Sequence, residues 1–196
     1  MNIKTLIGLG VIALLVFFGI SKYNSLVEEQ QQVNQSWAQV ENQYQRRADL
    51  IPNLVNTVKG AADFEQQALT DVIEARSKAS SIQVSADDLN NPQKVQQFQQ
   101  AQQQLSGALS RLLVTVEKYP ELKANQNFRD LQTQLEGTEN RISTERQRFN
   151  ESVQSYNTMV QRFPNNVFAG LFGFDQKAYF EADEGASEAP EVNFNN

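Results

Sequence analysis

Histidine and cysteine are both missing from the 196-residue sequence. Without them there is no disulfide framework and no thiolate nucleophile, and the commonest zinc, haem and di-iron ligand sets cannot be assembled. The usual general base near neutral pH is missing too, so an enzyme would have to work with carboxylates, hydroxyls or lysines. Proline and glycine are scarce, at five and nine residues, which leaves long stretches free of helix breakers. The net charge is −6, so no basic field is offered to nucleic acid. Neither β-type alternation nor a glycine-rich phosphate loop is found. These absences predict an all-α, non-enzymatic protein with no cofactor, no metal and no nucleic-acid partner.

What is present begins with "TLIGLGVIALLVFFGIS", residues 5–21, an uncharged run between Lys4 and Lys22. A bilayer core needs roughly 17 to 25 apolar residues in helix, and this run meets that. A cleaved signal peptide is the alternative, but "FFGISKYN" lacks a small-x-small exit. The expectation is one N-terminal transmembrane anchor over 1–22 that contacts the lipid bilayer through residues 5–21. Positive charge is nearly balanced across it, with a slight lean toward an extracytoplasmic bulk.

Beyond the anchor, apolar residues recur at alternating four- and three-residue steps. Leu26, Val33, Trp37, Val40 and Tyr44 lead through Arg47 to Ile51, Leu54 and Val58, then Ala61, Glu65, Ala68, Val72, Ala75 and Ala79. The phase survives Pro52, so Pro52 reads first as a kink in one long helix and second as a new helix start. Residues 80–93 read as a loop in which Asn91 caps and Pro92 opens the next helix. That helix carries Val95, Phe98, Gln102, Leu105, Leu109, Leu112, Val116 and Tyr119, and stops at Pro120. A third carries Phe128, Leu131, Leu135, Thr138, Ile142, Glu145, Phe149, Val153, Tyr156, Val160 and Phe163, and closes at Pro164. Narrow seams of this kind must bury against one another. The predicted architecture is an elongated antiparallel up-down helical bundle over 23–164, its first soluble helix kinked near Pro52. Residues 165–180, aromatic and glycine-punctuated, would pack on the bundle or on lipid, and 181–196 form an acidic tail of disordered composition.

The stretches "YNSLV" (23–27), "SWAQVENQYQRRADLIPNLVNTVKG" (36–60), "EKYPELKANQNFRDL" (117–131) and "YNTMVQRFP" (156–164) resemble the LemA family of bacterial membrane proteins. The "RR-DLIPNLV-TVKG" block is the most specific of them. The resemblance implies a single membrane segment, an antiparallel helical bundle and a place in the bacterial inner membrane, and it implies no agreed activity. Some relatives are associated with magnetosome formation.

Within the quoted block, Arg46, Arg47, Asp49, Pro52, Asn53 and Gly60 are the candidate partner-binding residues, forming a kinked polar recess. The competing reading has Arg47 snorkelling or pairing inside the bundle, with Glu145 as one candidate partner, because an unpaired buried charge is costly. Asn24, Asn150 and Asn157 are expected to bridge helices through amide hydrogen bonds. Glu28–Glu29 and Asp87–Asp88 read as solvated surface or, for the aspartates, as helix-start chemistry. The expected function is a membrane-anchored helical scaffold or adaptor holding a protein partner or a second copy. The alternative is a self-assembling, lipid-contacting bundle involved in membrane organisation.

Overall fold

The computed structural model describes residues 2–60 and 64–181. Every regular element among them is helical: α1 Ile3–Lys59, α2 Gln66–Ser81, α3 Pro92–Val116, α4 Pro120–Ala124, α5 Gln126–Gln161 and α6 Asn165–Phe172, with a 3-10 turn at Ala86–Asn90 before α3. The acidic tail, apart from Glu181, lies outside the described residues.

α1 is one helix of 57 residues with Pro52 inside it. At 1.5 Å per residue it is about 85 Å long. Its first part is the described stretch long and apolar enough to cross a membrane, and none of that window is buried in the protein. Below Lys22 the outward side chains, Phe17 and Leu14 among them, are exposed. From Leu26 onward the seam positions Val33, Trp37, Val40, Tyr44, Arg47, Ile51, Leu54 and Val58 are all buried.

The heptad count misleads beyond Gly60. The expected continuation of the first soluble helix to Ala79 is instead two helices, with α1 ending at Lys59 and α2 beginning at Gln66. Trp37 reaches Val84 and Ala48 meets Arg76, so α2 runs back down α1. A seven-residue pattern repeats on both arms of such a hairpin, and periodicity alone cannot see the reversal. α3 then rises against α2, joined by Lys78–Gln104 at 2.9 Å. α5 descends along α1, with Ser36 meeting Ser152 and Arg47 meeting Glu139. The result is an up-down-up-down bundle of α1, α2, α3 and α5.

Local chemistry explains the turns. Asn91 Oδ1 accepts from the Lys94 N–H at 3.2 Å, with Pro92 at the first helical position. Asp88 accepts from the Ser85 N–H and hydroxyl and from Lys94 Nζ. Pro120 opens the short α4 rather than merely ending α3, because its missing N–H is tolerated in a first turn. α6 ends at Gly173, whose φ of 75° is left-handed, and the Phe174 N–H closes back on Ala169 at 2.9 Å.

The core has two parts. A proximal cluster, nearer the apolar start of α1, is aromatic, with Trp37 against Phe98, Phe149 and Phe180 at 5.5–5.8 Å between ring centroids. A distal cluster is aliphatic, built on Ile51, Leu54, Val58, Leu105, Leu109 and Leu112. Arg47 lies in α1 between the last proximal residue, Tyr44, and the first distal one, Ile51.

Candidate functional site

Arg47 is 1 % exposed, so its terminal nitrogens must find their partners in protein, while Nε is buried without one. Nη1 donates to Ser106 Oγ at 2.6 Å and Glu139 Oε1 at 2.7 Å, and Nη2 donates to the carbonyl and side-chain oxygens of Gln102. The Tyr44 ring lies 5.2 Å from Cζ. Three helices therefore meet at one polar layer. The partner is Glu139 and not Glu145, which pairs with Arg148 on its own helix. The α5 position that faces Arg47 is one residue past the buried seam residue Thr138, six short of Glu145.

The other five residues of the quoted block face away from this layer. Arg46, Asp49, Pro52, Asn53 and Gly60 are exposed along α1, so the six do not form one recess. Asp49 accepts from Gln45, and Asn53 lines a shallow cleft with Asn56, Asn127 and Asp130. Pro52 has a separate consequence. Lacking an N–H, it leaves the Ala48 carbonyl without its helical donor. Arg76 Nε of α2 supplies one, at 2.8 Å from Ala48 O.

Beside the Arg47 layer, a groove of about 730 Å³ runs between α3 and α5. Gln99, Gln102, Gln103 and Ser106 form one wall; Glu139, Ser143, Arg146, Gln147 and Asn150 form the other; Tyr44 and Arg47 are the floor. One end is stopped by Phe180 and Glu181, the last described residues of the extended stretch that begins at Phe174. Three side-chain amides hold that segment, each gripping both backbone groups of a single residue. Asn157 donates to the Lys177 carbonyl and accepts its N–H, both at 2.8 Å. Asn150 does the same to Phe180, both at 2.9 Å. Gln99 does so to Glu181, at 2.8 and 3.1 Å. Tyr156 Oη donates to the Asp175 carbonyl; burial, with the Asp175 charge second, pushes the phenol up to about 12, so it stays a donor. Burial likewise lowers Lys177, against the charges of Asp87 and Asp175.

Asn150 and Asn157 thus secure an extended segment, where helix-to-helix bridges were expected, and Asn24 is exposed. An amide that both donates to and accepts from one residue reads backbone and not side chain. Among the described residues no cluster of carboxylates has the arrangement of a metal site. The groove residues that sequence reasoning missed, Gln99, Ser106, Glu139 and Arg146, lie on helix flanks. The visible signal was the run of polar residues in seam slots, Arg47, Gln102 and Thr138.

Comparison with known proteins adds a lineage. A family model described as LemA family matches residues 36–194. The chain is 23 % identical over 206 aligned residues to magnetosome protein MamQ of Magnetospirillum gryphiswaldense and to MamQ 1 of Paramagnetospirillum magneticum, covering 96 % of this chain and 75 % of each relative. It is also 23 % identical to protein LemA of Metamycoplasma hominis, over 88 % of this chain and 75 % of that one. With the family model spanning most of an all-helical chain that carries one membrane-length apolar stretch, this protein belongs to the LemA family.

Proposed function

We propose that the protein is a membrane-anchored, non-enzymatic scaffold that receives an extended segment of a partner protein in the groove between α3 and α5. The observation that carries this is the set of paired amide clamps on 174–181. The chain holds its own extended backbone by carboxamides, and the same groove continues past Glu181 with Gln102, Gln103, Ser143 and Gln147 along its walls. A segment laid there would find donors and acceptors on both sides, the arrangement by which grooves take extended peptides. The anchor over residues 5–21 would hold this groove at a membrane, raising its local concentration toward partners in the same bilayer. Arg46, Asp49, Pro52, Asn53 and Gly60 supply a second contact edge along the outer face of α1. Lean toward an extracytoplasmic bundle rests on the charges flanking the span.

Photocrosslinking tests this. A photoreactive residue at Gln103 or Ser143 of the full chain in native membranes should give discrete adducts that one at Gln67, on the exposed face of α2, does not. Ser143→Trp should abolish the adducts at Gln103 without lowering the melting temperature. Equal labelling at Gln67, or adducts indifferent to Ser143→Trp, would refute the groove as the contact.

A further inference from the structure

α6 carries no charge, and neither does any residue from Phe163 to Phe174. Its inner face, Ala169 with Phe168 and Phe172, packs on α1. The contacts fix where. Phe168 meets Phe18 edge-on at 6.2 Å between centroids, and a Cβ on Gly19 would come within 3.3 Å of the Phe168 ring. Phe172 meets Tyr23 at 5.0 Å. These are the last apolar turns of α1, below and beside Lys22, whose ammonium lies over the Phe18 ring. The outer face presents Phe163, Val167 and Leu171, exposed by 79, 59 and 73 %. Phe163 was expected in the seam of the third helix, but α5 ends at Gln161 and leaves it outside. Between the two helices an apolar groove of about 570 Å³ is lined by Ile12, Val16, Gly19, Ile20, Phe168 and Phe172.

We propose that α6 is embedded in the boundary between headgroups and acyl chains of the leaflet from which α1 emerges. The proposal rests on residues 5–21 spanning the bilayer. If they do, α6 shares the depth of Phe18 and Gly19, because it touches them. Its outward Phe163, Val167 and Leu171 then face acyl chains and not water. A helix without charge and with an apolar outer face, bordered by Arg162 on one side and Asp175 on the other, can sit at that depth without burying a charged side chain. A second copy is the rival occupant, but continuity with the lipid-facing surface of α1 favours the bilayer. The chain would then meet the membrane at two points, and the bundle could not pivot freely on its stem.

The absence of cysteine gives a clean background for single-site probes. Gly10→Cys, Leu171→Cys and Gln147→Cys, each in the full chain, carry a nitrobenzoxadiazole fluorophore in vesicles of phosphatidylcholine and phosphatidylglycerol. Lipids bearing a nitroxide near the headgroup should remove about half the emission at Leu171. Mid-chain nitroxides should quench Gly10, and neither should touch Gln147. Leu171 as unquenched as Gln147, with Gly10 still quenched, overturns the proposal and spares the anchor. An unquenched Gly10 overturns the anchor, and this proposal with it. Leu171 emission that depends on protein-to-lipid ratio but not on nitroxide lipids assigns the face to a second copy, which also overturns it.

Discussion

Arg47 puts a full charge into the seam of α1, so its removal leaves Glu139, Ser106 and Gln102 without their shared donor. Arg47→Met should cost about 3 kcal/mol in urea unfolding of the detergent-solubilised chain. Arg47→Lys should recover little, since one ammonium cannot serve the same fork of acceptors. Glu139→Gln should cost only about 1 kcal/mol, because the carboxylate is 39 % exposed and water already screens it. Pro52 and Arg76 make a second residue-scale test. Arg76→Leu strands the Ala48 carbonyl and should cost about 1–2 kcal/mol. In a Pro52→Ala background the helix supplies its own donor, so the same change should cost about 1 kcal/mol less. Arg47 was legible as a seam cation demanding a carboxylate, whereas Arg76 was not legible at all. Its partner is a backbone oxygen on another helix, and sequence carries no mark for that.

At the scale of elements, one carboxylate draws three hydrogen bonds together in the connection between α2 and α3. Hydrogen bonds from Lys94, then from the Ser85 N–H and hydroxyl, lower Asp88 to about 2. Between the unfolded value, 3.8, and about 2 the folded state binds fewer protons. Asp88's contribution is therefore present above that window and lost as the pH falls through it. Trp37 is the single tryptophan and donates to Val84 in this connection. Its emission should shift on acidification below pH about 3 in the native chain and not in Asp88→Asn. The extended segment gives another check: Asn157→Leu should speed amide exchange at Lys177, and Asn150→Leu at Phe180, while α5 stays protected. The helices themselves were readable, because narrow apolar stripes repeat on them. The hairpin between α1 and α2 was not, since both arms share one phase, and neither was the packing of 174–181, where the grip comes from amides of distant helices.

For the molecule as a whole, the long α1 is the frame. Its exposed Asn24 and Asn56 should be about 48 Å apart if the helix runs unbroken between them. Spin labels on Asn24→Cys and Asn56→Cys should give one narrow distance distribution there by pulsed electron resonance. A broad or much shorter distribution would mean that α1 is not one unbroken rod between Asn24 and Asn56; a bend at Pro52 itself, only four residues from Asn56, would shorten the distance by no more than about 6 Å. That α1 reaches beyond the span was legible in the unbroken count of apolar positions. Which helices border which could not be counted that way, because any amphipathic neighbour satisfies a stripe.

Because no linker separates the apolar stretch from the bundle, Arg47 stands at a set altitude, about 35–40 Å above Lys22 along the helix axis. If residues 5–21 span a bilayer and the groove takes a partner, as proposed, α1 is a ruler as much as a tether. A polypeptide lying flat on the lipid would pass underneath the opening, while one projecting a short stalk could enter it. Removing two whole heptads from α1 and α5 together would lower the opening by about 21 Å, and with it change which neighbours are tall enough to be held.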